Sequence, residues 1–471
     1  MNEPNEASAG SYDPGRRTGL VLAGAGTAGA YHAGVLRAIH ESGVRVDVVA
    51  GCGIGAVGAA FSAIDAGLQV WGPDGLWKRP EIRRSYSWRL ALRAAGWSLA
   101  IAFSSLILPV FALAAGVVAY LGAYLAQVSG IPGGGRLAAG YSWLMGEALA
   151  SDALPALLPR LAVLGLAFFA VAVAAAAASS RDPRRRRSRG GLWWTLLAAP
   201  LTSKVLAAGV RSRLWRVIAG APGRREPAPE EFSRLYCDLL AENLGQPHFK
   251  ELLILAHDLD ARQDVAFALL ARPWRRAYFG RHTGEGIARA GEAFDLAGAG
   301  SVHFIDALMA SLALPGLTEP TLVTFPAESY WRGETHALAA RMGSVGRLLL
   351  ELSRAGVEQV ILVCASTPGS SPRSLRRRPV DPAGRLGETL TASDASAALE
   401  AVKAGPGCFK RIFPIFATDE PLTALDFGGC YDERSDRPCT LVESIERGYR
   451  DAYRQFIEPH VAVEEQGQEQ G

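Results

Sequence analysis

Residues 48–60 read Val-Val-Ala-Gly-Cys-Gly-Ile-Gly-Ala-Val-Gly-Ala-Ala. An apolar run meets a glycine-dense turn, and a small-residue helical stretch follows. That layout is a nucleophile elbow, G-x-S-x-G, in which a strained strand-to-helix turn presents a serine. Here the pattern falls on Gly51-Cys52-Gly53-Ile54-Gly55, so Gly53 stands at the nucleophile position. The scaffold for acyl transfer is present without its reacting atom.

Working outward, Thr18 to about Trp77 alternates strand, glycine turn and helix twice, the pattern of a βαβ unit in a parallel sheet. The pattern predicts a strand over Gly19–Ala23, a helix over Ala30–Ser42 and a second strand over Val44–Ala50. Residues 1–17 are polar and predicted disordered, as is the tail 459–471.

The 471 residues call for two or three structural units. Hydrophobic residues make up 49% and mean hydropathy is +0.12, a balance that points to a membrane portion. The net charge of +3 is too mild to argue for nucleic acid, and no nucleic-acid partner is expected. Six cysteines form no C-x-x-C pair, so neither a zinc site nor a redox motif is indicated. The polar, Pro/Gly-containing start has no signal-peptide pattern, and a reducing cytoplasmic setting is expected for the globular part.

Residues 94–135 contain no charged side chain, and 161–180 are likewise uncharged between Arg160 and Arg181. Both reach the roughly 20 residues that cross a bilayer, and neither has the polar face of a globular helix. Spans are predicted at about 97–128 and 161–180, within a membrane insertion covering 78–220. Lys78, Arg79, Arg83, Arg84, Arg89 and Arg93 precede the first span, and Arg181, Arg184–Arg187 and Arg189 follow the second. The connector 129–160 carries only Arg136 and Arg160 as cations. The positive-inside rule then puts the globular part and both termini in the cytoplasm, with a short loop outside. Segment 191–210, with Trp193 and Trp194 but interrupted by Pro200 and Lys204, reads as interfacial. The arginine run reads as contact with anionic lipid. Buried core helices are the alternative reading of both spans.

After a Pro/Arg/Glu linker at 221–231, globular patterning resumes over 231–458. Helices are predicted at Phe232–Leu244, Phe304–Ala313, Arg341–Ala355 and Ser444–Ile457. Strands are predicted at Glu251–Asp260, Asp264–Leu270 and Gln359–Ala365, while 380–406 reads only as polar and small-residue rich. The insertion therefore divides one α/β domain into 18–77 and 231–458.

Three motifs in order resemble the patatin-like phospholipase family. Residues 22–36, Leu-Ala-Gly-Ala-Gly-Thr-Ala-Gly-Ala-Tyr-His-Ala-Gly-Val-Leu, are similar to its glycine-rich oxyanion loop and the helix that follows. The elbow comes next. Residues 310–316, Ala-Ser-Leu-Ala-Leu-Pro-Gly, ending in Glu319-Pro320, resemble its A-S-x-A-x-P-x-x-x-x-P segment. Leu422–Gly429 and the closing helix resemble its C-terminal region. The resemblance covers both globular halves and none of the insertion. It implies a three-layer α/β fold with a mainly parallel sheet, a Ser/Asp dyad, and hydrolysis of glycerolipid acyl esters.

The same resemblance locates what is missing. Gly24, Ala25, Gly26, Thr27, Ala28 and Gly29 form the expected oxyanion loop, where glycines allow close approach and positive φ. Ala28 replaces the family's loop cation. The family's catalytic aspartate, in a D-G-G or D-G-A turn, corresponds to Arg332 of Ser329-Tyr330-Trp331-Arg332-Gly333-Glu334. Nucleophile and base are thus Gly53 and Arg332, so no intact dyad is expected, and Gly53→Ser with Arg332→Asp would be the natural rescue.

Substitute candidates are Cys52, Thr27 and Asp426. Cys52 precedes the nucleophile position and reads more simply as a core residue under the turn. Asp426, in Asp-Phe-Gly-Gly, lies far downstream and reads more simply as a turn carboxylate. His32 and His336 fall near the right loops without a visible partner. The Gly24-x-Gly26-x-x-Gly29 spacing also fits a dinucleotide fingerprint with Asp47 as its acid, although Asp47 lies mid-strand instead of at the strand's far end. The expectation is a membrane-anchored, catalytically degenerate member that binds or regulates lipid, with membrane lipids as partners. An active acyl hydrolase with a relocated nucleophile is the alternative. No cofactor and no metal are expected, and the sequence carries no signal for an oligomeric state.

Overall fold

The computed structural model describes residues 11–179, 199–220, 223–280, 292–327, 329–368, 382–404, 407–418, 422–432 and 437–461. The chain divides into two compact units, one of Met1–Ser87 with Thr202–Gly471 and one of Trp88–Leu201.

Among the described residues, the first unit is built on a nine-stranded sheet: β1 Thr18–Gly24, β2 Val48–Gly53, β3 Glu251–Asp258, β4 Gln263–Leu269, β5 Ala293–Asp295, β6 Thr321–Thr324, β7 Thr335–Ala339, β8 Gln359–Cys364 and β9 Arg411–Phe416. Their order is β9-β8-β1-β2-β3-β4-β5, with β7 pairing β3 and β6 pairing β7. From β9 to β3 every pairing is parallel; β3 turns back antiparallel into β4. Parallel strands bury both faces, so β1, β2 and β8 read as near-continuous apolar runs. One face, with Val21, Val48, Leu253 and Val360, packs on Leu348 and Leu352 of the Val345–Arg354 helix. Across the sheet lie the Ala28–Glu41 and Gly55–Ala63 helices. Gly34 and Gly448 admit the Ala28–Glu41 and Leu441–Ala452 helices to backbone contact, since a Cβ at either would strike the other's main chain.

Several sequence expectations are corrected. Residues 11–17 are ordered. Tyr12 is buried and donates its hydroxyl to the Arg45 carbonyl at 2.5 Å, and Arg17 pairs with the buried Glu251 at 2.7 Å. Polarity alone predicted disorder, but these side chains find partners distant in sequence. At the other end the His460 carbonyl accepts from Tyr12 N–H at 3.1 Å, so residues 459–461 of the predicted tail are ordered. Residues 1–10 and 462–471 lie outside the described residues. β2 starts at Val48, so Asp47 precedes the strand. The 380–406 region holds a long helix, Pro382–Ala404.

The insertion is also narrower than 78–220. Residues 78–87 and the Lys204–Ala219 helix belong to the first unit, with Ile82, Leu206, Val210 and Leu214 buried. The interfacial reading of 191–210 therefore fails for Lys204–Val210, while 191–198 lies outside the described residues.

Among the described residues, the second unit contains three helices: Leu90–Val128, Gly134–Ala148 and Leu154–Ser179. The first and third are long and apolar enough to cross a membrane, with mean hydropathies of 2.3 and 2.5. Only 17% of each hydrophobic window is buried, so neither is a core helix. They pack side by side where Gly165 lies against the Ser98 carbonyl and Ala102, a small-residue contact of the kind that brings membrane helices together. The connector, expected as a short loop, instead contains the middle helix. Tyr141 holds it in place, donating its hydroxyl to the Ala112 carbonyl at 2.6 Å.

Candidate active site

The glycine loop follows β1 and the elbow follows β2, and the parallel ladder places Gly24 opposite Gly53. Gly53 has φ +59°, the left-handed conformation that an elbow imposes at its central residue. The backbone of the elbow is therefore retained. The space above it is not. A Cβ at Gly53 would overlap the Gly24 carbonyl oxygen. That same oxygen accepts the Ile54 N–H at 2.9 Å, and Ile54 is the residue whose amide follows the nucleophile position.

The loop's donors from Thr27 onward are engaged as well. Thr27 N–H bonds to the Ala424 carbonyl at 3.1 Å, while the Ala28, Gly29 and Ala30 amides turn back onto Ala25, Gly26 and Thr27 at 3.0–3.4 Å. Gly26, with φ +55°, lies so close beneath Ala424 that a Cβ would collide with its carbonyl. Segment 422–424 thus sits on the loop, pinned further by Thr27, whose hydroxyl donates to the Thr423 carbonyl at 2.9 Å. An oxyanion hole requires amides aimed at an open position 2.7–3.1 Å away. The Thr27–Ala30 and Ile54 amides point at protein oxygens instead.

None of the substitute residues is placed for attack. Cys52 is buried in the apolar core beneath the sheet face, and burial pushes its thiol well up, away from the reactive thiolate. Thr27 is 3% exposed with its hydroxyl committed. Asp426 closes a turn, accepting from the Thr423 hydroxyl at 2.5 Å. Arg332, φ +44°, is exposed in the turn joining β6 and β7, a hairpin that meets the main sheet only at the end of β3. Among the described residues it makes no ion pair.

The histidines are partnered, contrary to the sequence reading. His32 lies under the loop with Nε2 3.1 Å from the Ala23 carbonyl, and burial lowers it to about 4, so its ring is neutral. His336 meets the buried Asp258 at 2.6 Å and Glu334 at 3.3 Å. Burial disfavours its charged form, but those hydrogen bonds outweigh the penalty and raise it. Asp47 accepts the Thr18 N–H at 2.8 Å at the start of β1, the end of the sheet opposite the glycine loop. It cannot serve as the ribose acid of a dinucleotide site.

A feature the sequence did not reveal lies beside the loop. β1 leads to β2 on one side and β8 to β9 on the other, so the ends of β1 and β8 flank a topological switch point, where open α/β sheets bind ligands. A cavity of about 20 Å³ lies there, lined by Gly24, Ala25, Ser366, Thr391 and Asp394 among others. That is room for about one water molecule. Ser366 Oγ is 2.9 Å from Cys364 Sγ. Burial pushes Asp394 up to about 6, against the Gly343 N–H donated to it at 3.3 Å. Asp394 sits on the helix hidden in the 380–406 composition, which is why no motif marked it.

The patatin-like phospholipase profile matches residues 20–335, about two-thirds of the chain. The chain belongs to the patatin-like phospholipase family. Its similarity to curated members is local. It is 39% identical over 79 residues to lysophospholipase NTE1 of Pyricularia oryzae, covering 17% of this chain and 5% of that protein. It is 42% identical over 72 residues to the neuropathy target esterase sws of Drosophila sechellia, covering 14% and 5%. The chain thus spans a small fraction of these relatives' length. Among solved structures, VipD of Legionella pneumophila aligns over 95% of this chain and 67% of its own, with TM-score 0.31 and 12% identity. In this patatin-like chain the loop, the elbow and the mainly parallel sheet are assembled as the motifs led one to expect. Among the described residues, the His/Asp group spaced for a metal ion, His40, Asp65 and His248, is remote from the loop.

Proposed function

We propose that this protein is a membrane-anchored, non-hydrolytic member of the patatin-like family, acting in lipid metabolism by binding or regulation. The observation that carries this reading is the Gly24 carbonyl, which fills the side-chain space at Gly53 and occupies the elbow amide. A serine hydrolase needs an oxygen within reach of both a base and the oxyanion donors. Glycine supplies no such oxygen, and a guanidinium at the base position accepts no proton.

Anchoring is supported by the two apolar helices, whose side chains Val110, Phe111 and Phe168 are each more than 60% exposed. Exposure on that scale costs little in lipid and much in water. The arginine flanks favour a cytoplasmic position for the globular part. Purified protein in detergent should fail to react with fluorophosphonate probes and should release no fatty acid from lysophospholipid above background. Labelling at any serine would defeat the reading.

A second reading keeps an enzyme. Ser366 and Asp394 line one cavity beside the glycine loop, and a carboxylate near 6 suits a general base. It requires segment 422–424 to move aside so that substrate enters. Hydrolysis abolished by Ser366→Ala would establish it.

A further inference from the structure

We propose that His40, Asp65 and His248 form a binding site for a divalent transition-metal ion of the zinc class, a site separate from the glycine loop. The three side chains come from three connectors: the last turn of the Ala28–Glu41 helix, the turn after the Gly55–Ala63 helix, and the segment entering β3. One donor atom from each lies within 4.8 Å of the others. Ligands at about 2.0–2.1 Å around a tetrahedral ion stand roughly 3.3 Å apart, so small side-chain rotations close the set. All three are exposed, which leaves them room to rotate.

The backbone brings the donors together in advance. Ile64 and Phe249 form an antiparallel bridge, and Lys250 N–H bonds to the Ala63 carbonyl at 3.0 Å. In that register the next opposed pair is Asp65 and His248. Both are non-glycine residues held at positive φ, +53° and +73°. Histidine and aspartate tolerate that region better than most residues do. The His40 ring approaches from the helix, its centroid 6.0 Å from that of His248. None of the three side chains is committed to another hydrogen bond among the described residues. The Lys250 ammonium, near Asp65, is tied to the Ser62 and His248 carbonyls at 3.3 and 3.0 Å.

Two imidazoles and one carboxylate suit zinc and its neighbours, and are too nitrogen-rich for calcium or magnesium. The ion would clip three loops at the end of the sheet where strands β2 and β3 begin. Its binding adds stability to the folded state by mass action.

The test uses full-length protein in detergent, carrying a tag without histidine and stripped with EDTA. Zn²⁺ is titrated in competition with a chromophoric chelator, and Co²⁺ is followed by its visible absorption and by quenching of Trp71, whose ring lies 5.8 Å from that of His40. We expect one ion per chain and a higher Tm with Zn²⁺. His40→Ala and His248→Asn should each weaken binding by more than the roughly tenfold cost of losing even an outer-shell partner. His248→Asn and Asp65→Asn suit positive φ, so these variants keep the metal-free Tm. His303→Ala, outside the site, should bind as the parent does. Absence of stoichiometric binding would overturn the proposal, as would binding unchanged in the His40→Ala/His248→Asn double variant.

Discussion

The Gly24 carbonyl oxygen stands where a side chain on Gly53 would have to go, and it holds the Ile54 amide at 2.9 Å. Both residues are glycines at positive φ, paired at the ends of adjacent parallel strands. The missing side chain at 53 and the Gly24–Ile54 hydrogen bond therefore fall at one point of the fold. The rescue read from the sequence meets a steric obstacle, because serine at 53 needs space that the Gly24 backbone fills.

Gly53→Ser should accordingly destabilise the protein without restoring chemistry. A non-glycine residue at φ +59° carries backbone strain of order 1–3 kcal/mol, and the overlap with Gly24 adds to it. A lower Tm and no fluorophosphonate labelling are expected, in the single variant and in Gly53→Ser/Arg332→Asp. Arg332→Asp alone, at an exposed turn, should change Tm little.

Arg17→Ala should be costly despite its place near the start of the chain. The Arg17 guanidinium pairs with buried Glu251 at 2.7 Å, donates to the Ala355 carbonyl at 3.2 Å and lies 4.3 Å from the Trp274 ring centre. Burial already raises Glu251, and Arg17 is what holds it down. Removing one partner of such a pair costs about 3–5 kcal/mol. Chemical denaturation of the parent and variant measures it.

Asp394 predicts a pH dependence. Its folded value of about 6 lies above its ordinary 3.8, so folding favours the protonated form. That contribution is complete below about 3.8 and is lost as pH rises through about 6. Asp394→Asn should therefore be more stable than the parent well above pH 6, by about 3 kcal/mol. The advantage should vanish toward pH 4. Equal stability of the two at neutral pH would contradict the assignment.

The topology is open to labelling. Cysteines introduced singly at position 140 and at the C-terminus, on a background lacking reactive native thiols, should react from opposite sides of sealed vesicles. Reaction from the same side would refute the two-span arrangement. Gly165→Leu, which would force a branched side chain against Ser98 and Ala102, should separate the long helices and lower detergent stability.

Gly51–Gly55 and Gly24–Gly29 were legible without coordinates, because positive φ and close backbone approach leave a glycine signature in the sequence. The apolar strands and the two charge-free helices were legible too, since period and length follow from burial in protein or lipid. Other features depended on partners far along the chain. Tyr12 and Arg17 looked solvent-bound until Arg45, Glu251 and Trp274 came to meet them. Ala424 is a featureless residue until its carbonyl lies on the Thr27 amide, and Asp394 gains its character only from burial at the switch point. The sequence alone determined that a patatin-like scaffold lacks serine at 53 and aspartate at 332. The tertiary structure decided that backbone fills the space a side chain at 53 would take, because the parallel register of β1 and β2 sets the Gly24 carbonyl against Gly53 and the Ile54 amide.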